Sequence, residues 1–246
     1  MKIIVLAAGQ GTRLRPLTDN IPKCMVPLKG KPLIDYQLDL FKSKSIKDIT
    51  IVGGYLIDKL KNKNVNLITN KEYETTNMVH SLFCAEKELN DDVIISYGDI
   101  VYTDKVLQKL IDSNENISVV VDKNWKEYWK ARMDDPLSDA ETLKIKDGKI
   151  IEIGKKPNHY GDIEGQYIGL IKFSKEIIKE IVQFYNGLDK SINYDGNNFN
   201  NMYMTTFLSL LGENISPLKP IFINNGWMEV DCPDDLEHSR FLNHSK

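Results

Sequence analysis

The chain has 246 residues, 41% hydrophobic and 27% charged, with a formal net charge of -3. That length suffices for one sizeable core, and mild acidity without a basic stripe argues against DNA or RNA as a partner. No apolar run approaches the ~18 residues of a membrane span.

The first element, "KIIVLAAG", is an apolar run bounded by glycine, as expected of a strand buried on both faces. Its apolar core is too short for a signal peptide, so a cytoplasmic protein is expected. "KPLIDYQLDLFKSK" has helical spacing, with Leu33, Tyr36, Leu40 and Phe41 on one face. "KDITIVGGY" and "NVNLIT" read as strands, "NMVHSLFCAEKEL" as a helix, and "DDVIISYGDI" as a strand ending in Gly-Asp. A helix from about Asp104 and the strand "ISVVVD" follow. This alternation with short connections predicts a mostly parallel α/β sheet with helices on both faces. Beyond Asp122 the pattern loosens: "NWKEYWKARM" reads as a helix and "ETLKIKDGKIIEIGKK" as a hairpin turning at Asp147-Gly148. "GQYIGLIKFS" is a strand, residues Lys175–Phe184 and Asn198–Leu210 are helical, and "IFINNGWMEVDCPDDLEHSRFL" ends in a strand, Asp231 and a proline-opened helix. One α/β domain over 1–246 is expected, residues 1–122 forming one half and 123–246 a second half with a smaller β-rich elaboration.

Cys24, Cys84 and Cys232 are odd in number and far apart, and His80, His159, His238 and His244 do not cluster. Neither a disulfide framework nor a zinc site is expected. Two nucleotide motifs also fail: Leu14 stands where G-x-G-x-x-G needs its third glycine, and no G-x-x-x-x-G-K-[ST] run exists. What remains lies at the carboxyl ends of strands, where open α/β sheets bind ligands. After the first strand come Gly9, Gly11, Thr12 and Arg13, then Lys23; Asp99 and Asp231 follow later strands. Glycines admit phosphate to backbone N–H groups, Arg13 can clamp a pyrophosphate, and Lys23 is a point charge for the attacked phosphate. Two aspartates from separate strands can hold Mg²⁺. Taken singly, Asp99 reads as a turn residue, Asp231 as a helix cap and Lys23 as a surface lysine; their convergence is what points to a triphosphate site.

"LAAGQGTRLRPLTDNIPKCMVPLKGKPLIDYQL", with "YGD" and "WMEVDCPDDL" further on, resembles the signature of the nucleotidyltransferase superfamily, of GT-A-like, Rossmann-like fold. The resemblance implies a triphosphate loop of Gly9, Gly11, Thr12 and Arg13, with Leu6, Ala7 and Ala8 before it. Arg13 and Lys23 would be catalytic, and Asp99 and Asp231 would hold Mg²⁺. The implied reaction is attack of a phosphate or phosphonate oxygen on the α-phosphorus, with loss of pyrophosphate. Sugar-1-phosphate members carry "P-x-G-T-A" after the third strand; "YETTNMVHSLFCA" stands here instead and is similar to phosphocholine and 2-aminoethylphosphonate cytidylyltransferases. CTP is then the implied nucleotide, its cytosine near Ala8, Thr76, Asn77 and Ser81. Gln166 departs from the glutamate frequent in that branch.

For the acceptor, Trp125 and Trp129 share a helical face with Arg132. Two indoles can cage an ammonium and Arg132 can hold an anion, although aromatics at helical spacing are also what core packing produces, the stronger reading for Trp125. Glu141, Lys155, Tyr167, Tyr194 and Glu229 complete the acceptor candidates. The expected substrate is a small zwitterionic amine: phosphocholine, phosphoethanolamine, an aminophosphonate or a phosphorylated amino acid or amide. Family analogy implies a monomer or homodimer working on small molecules for capsule, lipooligosaccharide or teichoic acid decoration. The alternatives are a sugar-1-phosphate nucleotidyltransferase and an inactive nucleotide-sensing subunit.

Overall fold

A computed structural model describes residues 1–242 of the chain. Its main elements in chain order are β1 (Lys2–Ala7), α1 (Leu33–Ser43), β2 (Ile49–Gly53), β3 (Asn66–Thr69), α2 (Met78–Cys84) and β4 (Val93–Tyr97). There follow β5 (Ile100–Tyr102), α3 (Asp104–Ile111), β6 (Ile117–Asp122), α4 (Trp125–Arg132), β7 (Leu143–Lys146) and β8 (Lys149–Ile153). The last are β9 (Gln166–Phe173), α5 (Ile178–Gly187), α6 (Met204–Asn214), β10 (Leu218–Ile223) and β11 (Trp227–Glu229).

Nine strands form one sheet in the order β3-β2-β1-β4-β9-β6-β10-β8-β7. The pairs of β1 with β2 and β4, of β2 with β3 and of β6 with β10 are parallel. Strand β9 runs antiparallel between β4 and β6, and β8 antiparallel to β10 and β7. The sheet is therefore mixed, with seven strands pointing one way and two opposed. The expected hairpin at Asp147-Gly148 forms, both residues having positive φ, 51° and 70°, as a tight two-residue turn requires. It does not stand apart as a subdomain; β8 continues the sheet beside β10 through Ile150 and Leu218.

The central strands are apolar on both sides, and each face carries a core. Leu33, Ile34 and Phe41 of α1, Val106 and Leu110 of α3 and Tyr128 of α4 are buried in one. Val79 and Leu82 of α2, Ile181 of α5 and Phe207 and Leu211 of α6 are buried in the other. Each such side chain contributes about 1.5–3 kcal/mol by leaving water. On α1 the buried face also includes Gln37, while Tyr36 and Leu40 are only partly covered. Among the described residues no helix is long and apolar enough to cross a membrane. His244 lies outside the described residues.

Outside the large sheet, β5 and β11 pair as an antiparallel ribbon, with Ile100 opposite Glu229 and Tyr102 opposite Trp227. The ribbon is anchored by Asp122 at the end of β6, fully buried, which accepts hydrogen bonds from Trp227 Nε1 (2.8 Å) and from the backbone of Asn124 (2.9 Å) and Asn225 (3.0 Å).

Candidate active site

The glycine turn after β1 needs its glycine for two reasons. Gly11 adopts φ 64°, a left-handed conformation that side chains resist, and it opens the short 3₁₀ turn Thr12–Leu14. A Cβ added there would also stand 2.9 Å from Lys23 Cβ. The bare backbone thus lets the segment carrying Lys23 pack against the turn.

The ribbon supplies the acids. Asp99 immediately precedes β5, and Val230 N donates to Asp99 O at 2.9 Å. This extends the β5/β11 ladder by one step and sets Asp231 beside Asp99. Gln37 fixes the other side: its Nε2 donates to Tyr97 O (2.8 Å) and Ile100 O (2.7 Å), across the Gly98-Asp99 turn, and its Oε1 accepts from Ser96 Oγ. Lys23 Nζ lies between the two carboxylates, 2.6 Å from Asp99 Oδ2 and hydrogen-bonded to Asp231 Oδ1. Arg13 pairs with the other Asp231 oxygen at 2.5 Å. Burial works against the Lys23 charge, but Asp99 and Asp231 outweigh it and hold the ammonium above the ordinary lysine range.

A cavity of about 250 Å³ opens here. It is lined by Leu6, Ala7, Ala8, Gly9, Gly11, Thr12, Arg13, Lys23, Thr76, Asn77, Ser81, Asp99 and Asp231. All the residues expected to meet nucleotide or metal therefore share one space. Asn70 supports its far wall, donating to Thr76 Oγ1 (2.9 Å) and Ser81 Oγ (3.0 Å). Asn77 N donates to Asn200 O at 2.9 Å, tying that wall to the segment before α6.

A second cavity of about 290 Å³ adjoins the first and shares Asn77, Met78 and Asp231 with it. Of the acceptor candidates it takes in Trp129, Glu141, Tyr167 and Glu229. Its lining carries four carboxylates, Asp139, Glu141, Glu229 and Asp231, and no lysine, arginine or histidine among the described residues. Tyr97 and Tyr167 meet edge to face at 5.8 Å. The Tyr97 ring lies against Gly169, whose φ of 80° and missing Cβ make the room. Desolvation, then the Asp139 charge, pushes the Glu141 carboxyl up to about 7, although the residue remains exposed. Burial, with Asp99 and Asp231 adding to it, acts upward on the Glu229 carboxyl, and the Arg132 guanidinium paired with it opposes them.

Three acceptor candidates stand elsewhere. Arg132 does not line the second cavity; its side chain is 4% exposed, with Nη1 2.5 Å from Glu229 and Nε 2.7 Å from Asp235. Its charge is spent inside the protein, so it is not available to a substrate anion. Lys155 is exposed, 3.9 Å from Glu152, and lines neither cavity. Tyr194 is buried against Phe199, and its hydroxyl donates to Asp189 O at 2.9 Å. Nor do the two indoles form a cage. Trp125 and Trp129 meet edge to face, 6.0 Å apart; Trp125 lines neither cavity, and Trp129 Nε1 donates to Asp139 at 3.1 Å.

Several residues that build the site were not singled out from sequence. Gln37 left a trace, a polar residue on the apolar face of α1. Asp139, Tyr97 and Tyr203 of the second cavity left none.

Residues 3–184 match the family described as MobA-like NTP transferase domain. The chain is 49% identical over 96% of its length, and 98% of the relative's, to the CTP:phosphoglutamine cytidylyltransferase of Campylobacter jejuni. It is 44% identical to the choline-phosphate cytidylyltransferase of Streptococcus pneumoniae over 42% of this chain and 46% of that one. Among solved structures, the CTP:phosphocholine cytidylyltransferase of Streptococcus pneumoniae superposes with a TM-score of 0.70 at 26% identity, covering 98% of this chain and 99% of that one. The inositol-1-phosphate CTP transferase of T. maritima reaches 0.75 at 21% identity, over 98% and 93% of the two chains, a likeness of fold.

Proposed function

We propose that this chain, which belongs to the MobA-like NTP transferase family, joins CMP from CTP to a small phosphorylated, amine-bearing acceptor and releases pyrophosphate. The observation that carries this reading is the adjacency of two cavities of different character that share Asp231. The first offers a glycine turn, Arg13 and Lys23, suited to a triphosphate. The second offers carboxylates without a basic residue, suited to the cationic end of the acceptor. Its phosphoryl end would then point back toward Lys23. A phosphorylated glutamine, the acceptor named for the C. jejuni relative, carries an α-ammonium group, beside an α-carboxylate, at the end away from its phosphoryl group.

The residues present also fit Mg²⁺. Asp99 Oδ1 is buried with no hydrogen-bond partner among the described residues, and Asp99 and Asp231 form the hard-oxygen pair that Mg²⁺ takes together with phosphate oxygens and water. Among the described residues no cluster of three His, Cys, Asp or Glu could supply a fuller cage. Mg²⁺ held there would neutralise charge on the triphosphate. The chain's own part is positional. Arg13 and the Gly9–Gly11 turn would orient the β- and γ-phosphates, and Lys23 would exchange its carboxylate partners for an oxygen of the α-phosphate, where charge builds as the acceptor oxygen attacks. Lying at the boundary of the cavities, Asn77 would keep the two substrates in line. We place the reaction in the cytoplasm, on small molecules, with a monomeric or homodimeric enzyme whose product serves surface polysaccharide decoration.

A pyrophosphate-release screen crossing four nucleoside triphosphates with phosphoglutamine, phosphocholine and glucose-1-phosphate tests this. CTP with phosphoglutamine is expected to be the fastest pair; preference for glucose-1-phosphate would overturn the reading in favour of a sugar nucleotidyltransferase. Acidity gives a second check. A carboxyl held near 7 is neutral below that pH and charged above it. The apparent KM for an amine acceptor should therefore fall as pH rises through about 7. Asp139, Glu229, Asp231, Tyr97 and Tyr167 line the same cavity and remain in Glu141→Gln, so subtracting that variant's profile isolates the Glu141 contribution. Superimposable profiles would remove Glu141 from acceptor binding.

A further inference from the structure

The loop between α4 and β7 delivers Glu141 to the second cavity, and its neighbours are fixed by ordinary backbone bonds. Ala140 N donates to Pro136 O (2.9 Å), and Thr142 exchanges bonds with Lys155 O (2.8 Å) and Gly154 N (3.0 Å). Glu141 is held differently. Its N–H donates to Gln166 Oε1 at 3.2 Å, and Gln166 Nε2 donates to Glu141 O at 2.5 Å. One side-chain amide thus grips both polar groups of a single residue, as a neighbouring strand would. Gln166 is 4% exposed, lies at the start of β9 opposite Asp122, and so ties Glu141 to the rigid sheet. The Glu141 carboxylate has no ion-pair partner among the described residues and stays open to the cavity.

We propose that Gln166 is a positioning residue whose amide sets the reach of the Glu141 carboxylate for the acceptor's ammonium group. The proposal rests on the acceptor reading above and goes beyond it in saying what aims the carboxylate. Gripping both backbone groups of Glu141 requires an amide. A glutamate here, of the same shape, accepts from Glu141 N–H but, when ionised, has no proton to offer Glu141 O. The grip is then half lost and a second negative charge faces the first. Gln166 itself lines the second cavity, but its amide is taken up by the backbone of Glu141 and Gly165; acting through Glu141, its loss should be felt on acceptor affinity and only where the acceptor has an amine to lose.

The experiment compares wild type, Gln166→Glu and Glu141→Gln with two acceptors, phosphoglutamine and the same molecule without its α-amino group. Gln166→Glu is expected to raise the apparent KM for phosphoglutamine by about tenfold, the equivalent of one impaired buried contact. The KM for CTP, kcat, and the KM for the deaminated acceptor are expected to stay within about twofold, a split that a merely structural loss does not give. Adding Gln166→Glu to Glu141→Gln should cost little more than Glu141→Gln alone, since both act through one contact. Equal losses with both acceptors, a fall in kcat, an unchanged phosphoglutamine KM or additive effects would each overturn the proposal. If Gln166→Glu fails to fold, Gln166→Asn, which keeps the amide one methylene short, decides on the same criteria. If wild type turned over the deaminated acceptor and not phosphoglutamine, the acceptor reading would be overturned, and this inference with it.

Discussion

Lys23→Ala is expected to lower kcat about 10²–10³-fold while changing the KM for CTP far less. The ammonium sits where two strand ends and the glycine turn meet, held by Asp99 and Asp231, and in the proposed reaction it would answer charge that grows only during attack. Lys23→Arg should not restore the rate, because a planar fork does not occupy the position of a compact ammonium whose base packs against Gly11. Lys23→Ala also leaves two carboxylates adjacent with only the exposed Arg13 nearby. The ligand-free variant should therefore melt lower than wild type, and millimolar Mg²⁺ should recover much of the difference. Steady-state kinetics and thermal melting measure both effects. A kcat within tenfold of wild type would remove Lys23 from the chemical step.

The second large effect is expected far from the phosphates. Arg132→Ala should destabilise the fold by about 3–5 kcal/mol, the cost of breaking a buried ion pair from one side. Glu229 and Asp235 would both lose their cation. Burial and Glu229 act in opposite senses on Arg132, and the carboxylate prevails, holding it above even the ordinary arginine range. Asp235, despite burial, is held below the usual carboxylate range by the same guanidinium. Asp235 also accepts from Asp231 N (2.7 Å) and Cys232 N (2.9 Å), so the loop carrying the second acid is secured through Arg132. Stacking on Tyr128 and Trp129, 5.1 and 5.6 Å away, adds to the loss. Denaturant unfolding gives the stability, and Mg²⁺ titration of the folded variant reads the loop: a destabilisation under about 1 kcal/mol would show that Arg132 does not secure the fold, and unaltered Mg²⁺ affinity that it does not secure the loop.

The difference between the two cavities in legibility has a physical origin. Gly11, Lys23 and Asp99 follow strands whose apolar runs are unmistakable, and the carboxyl-end rule then locates them. The same runs revealed helices on both faces. They were silent on strand direction, because β9 is as apolar running against its neighbours as along them. The acceptor residues depend on what a side chain meets in space. Arg132 has the spacing of a ligand clamp, yet Asp235, supplied by a turn a hundred residues later, takes its charge. Trp125 and Trp129 share a helical face, and that face is core. Gln166 looked like a departure from relatives, and only the fold shows that its amide grips the backbone of Glu141.

The ribbon of β5 and β11 bears on when this protein becomes competent as it emerges from a ribosome. Lys23 and Asp231 are separated by 208 positions, so the contact between them closes late, after most of the large sheet has been synthesised. A nascent chain halted before Trp227 would carry the glycine turn and Arg13 but would lack the second acid, and Arg132 would be left buried without Glu229 and Asp235.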